Sequence, residues 1–165
     1  MNLSRIFEMQ KDLDTKIKEK SLLTNPELSD EQIIINGTIA LVVEAAEFAN
    51  EIQTFKYWKA NKNIDNNKVL EEFADLIHFL VSFSNRYNVH YEIEPRITSG
   101  NLNVQLQNLF ISLTDIMKNP SKDTITRAFE IAIGTFEMLG FSYHELYSWY
   151  VTKNQTNYKR LQNNY

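Results

Sequence analysis

The sequence predicts an all-α protein, a single-domain helical bundle of five to six helices over residues 1–165. Glycine and proline are scarce, four and three in 165 residues, which disfavours a turn-rich β fold. Apolar residues recur at helical spacing almost throughout. Ser29 with Gln32 and Ser142 with Glu145 each form the signature of a capping box at a helix start. A chain of this length makes one domain and buries roughly 70% of its unfolded surface.

Leu3, Ile6, Phe7, Leu13 and Ile17 mark one face of a first helix over residues 3–20, closed by the Thr24-Asn25-Pro26 break. The Ser29 box opens a second helix that runs to Phe55. The polar stretch 59–67 reads as a loop, and a third helix spans 67–87. Pro95 and Ser99-Gly100 interrupt the chain again. Leu102, Leu106, Leu109, Phe110, Leu113 and Met117 define a fourth helix, ended by Asn119-Pro120. A fifth covers 121–139 with Gly140 as its stop. Phe141 and Leu146 stand at the positions of a hydrophobic staple around Ser142, where a sixth helix begins.

Composition narrows the function. A net charge of -4 argues against duplex nucleic acid as a partner. The absence of cysteine excludes disulfides, thiolate catalysis and sulfur-ligated zinc. The N-terminus lacks the apolar core of a signal peptide, and no consecutive apolar run approaches the ~18 residues of a membrane span. The expectation is a soluble protein of the cytoplasm.

The chemistry lies in two carboxylate pairs, Glu44/Glu47 and Glu72/Asp75, each spaced i to i+3 within an apolar helical segment. Residues at that spacing share a helix face. Glu27 and Asp30 have the same spacing in a loop, and such pairs are usually solvated. These two differ because core-forming residues flank them and because they recur on two helices able to form a hairpin. Like charges in apolar surroundings need a neutralising cation. Four oxygen ligands without sulfur describe a hard-metal site, with Mg²⁺ as the first choice and Mn²⁺ as a substitute. A di-iron bundle needs two Glu-x-x-His motifs, and only the Asp75/His78 pair approaches one. No Walker-type phosphate loop is present. Two basic stretches, Phe55-Lys56-Tyr57-Trp58-Lys59 and the tail from Lys153 to Arg160, supply cations suited to phosphates.

With these residues assembled, the chain resembles the dimeric all-α dUTPases of phage and bacterial type, within the all-α nucleotide pyrophosphohydrolases. The resemblance runs in order through Phe7-Glu8-Met9-Gln10-Lys11-Asp12-Leu13-Asp14, Glu44-x-x-Glu47-Phe-Ala-Asn50-Glu51, and Phe55-Lys56-Tyr57-Trp58. It continues through Glu71-Glu72-Phe73-Ala74-Asp75-Leu76-Ile77-His78-Phe79, and Tyr150-x-x-Lys153-Asn154-x-x-Asn157-x-x-Arg160-x-Gln162. Residues 93–138 carry none of these motifs and stand as a family-variable helical insert. The tail Gln162-Asn163-Asn164-Tyr165 departs from the family pattern, which often has a glycine before the aromatic.

The resemblance implies Mg²⁺-dependent hydrolysis of dUTP to dUMP and pyrophosphate by a metal-activated water. It makes Glu44, Glu47, Glu72 and Asp75 the metal ligands, with Glu47 also the base for the water. Gln10 would read uracil, since a side-chain amide both donates and accepts. Phe55 or Trp58 would wall the base, and Asp14 or His78 would meet the sugar. Lys56, Lys153, Asn157 and Arg160 would hold phosphates. The resemblance also implies a homodimer. Two alternatives stay open: a related pyrophosphohydrolase for dCTP or a modified nucleotide, and a helical regulatory protein. The second follows from phage members of the family that bind a repressor protein, and a phage-encoded enzyme would act in the host cytoplasm.

Overall fold

The computed structural model describes residues 1–163, so the Asn164-Tyr165 end of the tail lies outside the described residues. The six helices are α1 (Ser4–Thr24), α2 (Asp30–Ile52), α3 (Asn66–Arg86), α4 (Leu102–Lys118), α5 (Lys122–Met138) and α6 (Tyr143–Gln162). The all-α class and the upper helix count agree with the sequence. No strand occurs among the described residues; a lone antiparallel bridge joins Asn2 to Glu92.

Helix α3 is the axis of the bundle and packs against α1, α2, α5 and α6. Its apolar residues form one broad face, with Val69, Leu70, Phe73, Leu76, Ile77, Leu80 and Val81 all buried. Phe73 is the hub of the core. Its ring centroid lies 4.9 Å from that of Phe48 on α2 and 4.4 Å from that of Phe136 on α5, the latter stacked. Each buried side chain of this size stabilises the fold by roughly 1.5–3 kcal/mol.

The predicted capping boxes at Ser29 and Ser142 are both formed. A third, Ser121 with Thr124, opens α5. At the other end of that helix Gly140 adopts φ +80, the left-handed conformation suited to glycine after a helix end. Helix α2 stops at Ile52 rather than Phe55, because Gln53 takes φ 59 and turns the chain out of the helix.

Segment 93–138 is integral to the core. Leu109, Leu113, Ile125, Phe129, Ile133 and Phe136 belong to the same buried cluster as the residues of α3. The strap before α4 is fastened by Gln105, whose Nε2 donates to the carbonyls of Arg96 (2.9 Å) and Ile131 (3.2 Å). Gln105 Oε1 accepts from the Thr98 amide at 2.8 Å. Arg96 crosses α5 at Gly134, where a Cβ would stand 2.2 Å from the Arg96 carbonyl oxygen.

Helix α2 is long and apolar enough, by length and composition, to cross a membrane, although the sequence holds no long consecutive apolar run. Its apolar residues are spaced by polar ones that a search for runs breaks on. Part of that apolar character is the core-facing row Leu41, Ala45, Phe48 and Ile52.

Candidate active site

Helices α1, α2, α3 and α6 enclose a cavity of about 1350 Å³. Ten of the thirteen predicted site residues line it: Gln10, Asp14, Glu44, Glu47, Glu72, Asp75, His78, Lys153, Asn157 and Arg160. The i, i+3 spacing places each carboxylate pair on one face, and the packing of α2 on α3 brings the two faces together.

Carboxylate oxygens of Glu44, Glu72 and Asp75 all lie within 4.8 Å of one another. Burial first, and then the charges of Asp75, Glu47 and Glu72, push the Glu44 carboxyl up to about 7. Glu72 rises to about 7 for the same reasons, burial leading and Asp75 and Glu47 following. Burial also raises Asp75, against the pull of Lys153. Three hard oxygen donors held together at this electrostatic cost fit a divalent cation, which would stabilise all three as anions. Glu47 is exposed and stands apart from the three-oxygen group on the wall of the same cavity.

Cationic groups approach from α6. Lys153 Nζ lies 2.6 Å from Asp75 Oδ2 and 3.3 Å from Glu71 Oε1. Burial depresses the Lys153 ammonium, but Asp75 and Glu71 outweigh it and the net shift is upward. Asn157 and Arg160 follow at one-turn intervals along the same cavity wall.

Deeper in, a hydrogen-bonded group connects α1, α3 and α6. Gln10 Oε1 accepts from the Tyr150 hydroxyl at 2.6 Å and lies 2.6 Å from His78 Nδ1. Gln10 Nε2 donates to Asp14 Oδ1 at 2.7 Å. The His78 ring stacks on Tyr150 with centroids 4.1 Å apart. Burial holds His78 down at about 4, so its imidazole is neutral at ordinary pH. Asp14 is raised by burial, with Gln10, Ser82 and Arg86 opposing.

Phe55, Lys56 and Trp58 do not line this cavity. The left-handed turn at Gln53 carries them away from it. Lys56 Nζ is tied to the Asn50 side-chain oxygen (2.6 Å) and carbonyl (3.0 Å). Phe55 borders a separate shallow groove with Val104, Leu106 and Phe110, and Trp58 is 63% exposed. The sequence reading missed Tyr150 and Glu71 as site groups. Both sit in quoted motifs, Tyr150 at the head of the α6 motif and Glu71 beside Glu72, so position in the motif was the available signal.

A family model described as dUTPase matches residues 2–165. A search of curated proteins finds no match. The family match extends through all six helices, well beyond the acidic motifs that many nucleotide hydrolases share. The chain therefore belongs to the dUTPase family and is a dUTP diphosphatase.

Proposed function

We propose that the protein hydrolyses dUTP to dUMP and pyrophosphate with Mg²⁺, and that Mn²⁺ substitutes. The observation that carries this reading is the convergence of Glu44, Glu72 and Asp75 within one cavity, facing Lys153, Asn157 and Arg160. Glu44, Glu72 and Asp75 hold the cation, and Glu47 completes its shell from the cavity wall. When bound, such an ion acidifies water and offsets charge on the phosphates.

Glu47 also serves as the base. It lies on the same wall as the three clustered carboxylates but outside their close contact, which leaves it able to orient a water and accept its proton. Lys153, Asn157 and Arg160 bind the phosphates, and Arg160 offers a guanidinium suited to bidentate contact. Gln10, Asp14 and His78 form the end of the cavity that takes the nucleoside.

Pyrophosphate release from dUTP, dCTP, dTTP and dATP in the presence of Mg²⁺ tests the reading. Turnover of dUTP well above the other three is expected. Preference for dCTP would replace it with the related pyrophosphohydrolase.

The same reading includes a homodimer. Ile35, Ile39 and Val43, spaced i, i+4, i+8 on α2, form an apolar stripe about half exposed in the single chain. Sedimentation equilibrium is expected to return twice the 19.4 kDa chain mass, and a monomer would remove this part. Phe55, Lys56 and Trp58 then contact substrate only through a second copy or a moved 53–65 loop.

A further inference from the structure

Asp75 belongs to two faces of α3 at once. It stands three residues after Glu72 and four after Glu71, and both spacings bring side chains together on a helix. With Glu72 it meets Glu44 of α2 in the three-oxygen group. With Glu71 it meets α6, where Lys153 Nζ lies 2.6 Å from Asp75 Oδ2 and 3.3 Å from Glu71 Oε1. Glu71 itself has no place in the three-oxygen group and none in the cavity lining.

A divalent cation held by Glu44, Glu72 and Asp75 would share the Asp75 carboxylate with the Lys153 ammonium, and the two like charges repel. The Lys153 side chain is only 16% exposed, and an ammonium so enclosed is costly to leave without a counter-charge. Glu71 supplies one from outside the three-oxygen group. An ammonium has three donors. Lys153 can therefore keep its contact with Glu71 and turn the donor released by Asp75 toward a phosphate oxygen.

We propose that Glu71 is a positioning residue, which retains Lys153 at the cavity wall when a divalent cation takes Asp75 and so keeps the ammonium available to the substrate's phosphates. The proposal rests on the reading of Glu44, Glu72 and Asp75 as cation ligands and of Lys153 as a phosphate contact. A carboxylate that merely added its charge to the site would act on the nucleotide in the opposite sense, because it would repel the triphosphate. The sign of the effect of a substitution at Glu71 separates the two roles.

The test is the affinity for a non-hydrolysable dUTP analogue in Mg²⁺, measured by calorimetry for the wild-type protein and Glu71→Gln. The pair is measured again on a Lys153→Met background. The Glu71 side chain is 44% exposed, so its replacement leaves the core intact. Glu71→Gln is expected to weaken binding about fivefold, the scale of one charge-assisted contact to a partly exposed partner. No weakening is expected where Lys153→Met has already removed the ammonium. In turnover the loss is expected in KM, with kcat within about twofold of wild type. An NOE between the Lys153 ε-methylene and Glu71 γ-methylene protons of the wild-type protein needs no variant, and it is expected to persist in saturating Mg²⁺. Unchanged or tighter binding by Glu71→Gln, equal weakening on both backgrounds, or loss of the NOE on adding Mg²⁺ overturns the retention of Lys153 and leaves dUTP hydrolysis standing. Failure of the wild-type protein to bind Mg²⁺ or to turn over dUTP would instead overturn the proposed function.

Discussion

Lys153 on α6 and Asp75 on α3 form a 2.6 Å ion pair at the centre of the acidic cavity, with both side chains about 15% exposed. The ammonium stands where a cation is needed, beside carboxylates that repel one another. Under the proposed assignment it would compete with a metal ion for Asp75 while remaining suited to a phosphate.

Lys153→Met follows directly from that competition. The substitution keeps most of the aliphatic stem and removes the charge. Calorimetric titration without nucleotide is expected to show Mg²⁺ binding about tenfold tighter, whereas KM for dUTP rises because a phosphate contact is lost. Weaker Mg²⁺ binding by the variant would show that the ion pair supports the site.

The raised carboxyls predict how stability varies with pH. Glu44 and Glu72 move from 4.5 to about 7 on folding. Across that window the native state retains protons that the unfolded chain has released, so its stability falls as pH rises from about 4.5 to about 7. Thermal unfolding in a chelator should show this loss. Mg²⁺, by favouring the ionised carboxylates, should raise Tm more at the upper end of the window than at the lower. A Tm increment from Mg²⁺ that is greatest at the acid end would contradict the assignment.

Glu47→Gln separates chemistry from binding. If Glu47 accepts the proton from water, kcat falls on the order of 10²–10⁴-fold. Affinity for a non-hydrolysable dUTP analogue should change far less. Comparable losses in both quantities would assign Glu47 to holding the cation and its substrate and not to proton transfer.

Gly134→Ala tests the strap. The added Cβ would meet the Arg96 carbonyl oxygen at 2.2 Å, and that backbone is held by Gln105 and cannot easily give way. The expected cost is about 2 kcal/mol or more, or several degrees in Tm at roughly 2–4 °C per kcal/mol. An unchanged Tm would mean that the 94–98 strap moves freely.

Much of this was legible in the residues. Helical period and scarce breakers fixed the helices, since α3 buries a broad apolar face and its sequence shows it. The carboxylate pairs were legible because i, i+3 spacing translates directly into a shared face. Long-range contacts were not. Nothing in the local sequence joins Tyr150 to Gln10, and the motif order alone hinted that both belong to one site. The end of α2 was missed because glutamine is not a residue that announces a left-handed turn. That turn places Phe55, Lys56 and Trp58 outside the cavity. The Ser121 box went unseen because threonine replaces the usual Glu or Gln at its third position.

The most direct measurement is dUTP turnover by the wild-type protein and by Glu72→Gln, each in EDTA and again after Mg²⁺ is restored. The account predicts no pyrophosphate release in EDTA, full recovery of the wild-type protein on adding Mg²⁺, and little recovery of the variant. Turnover that persists in EDTA, or a Glu72→Gln protein as active as wild type, would contradict a cation held by α2 and α3.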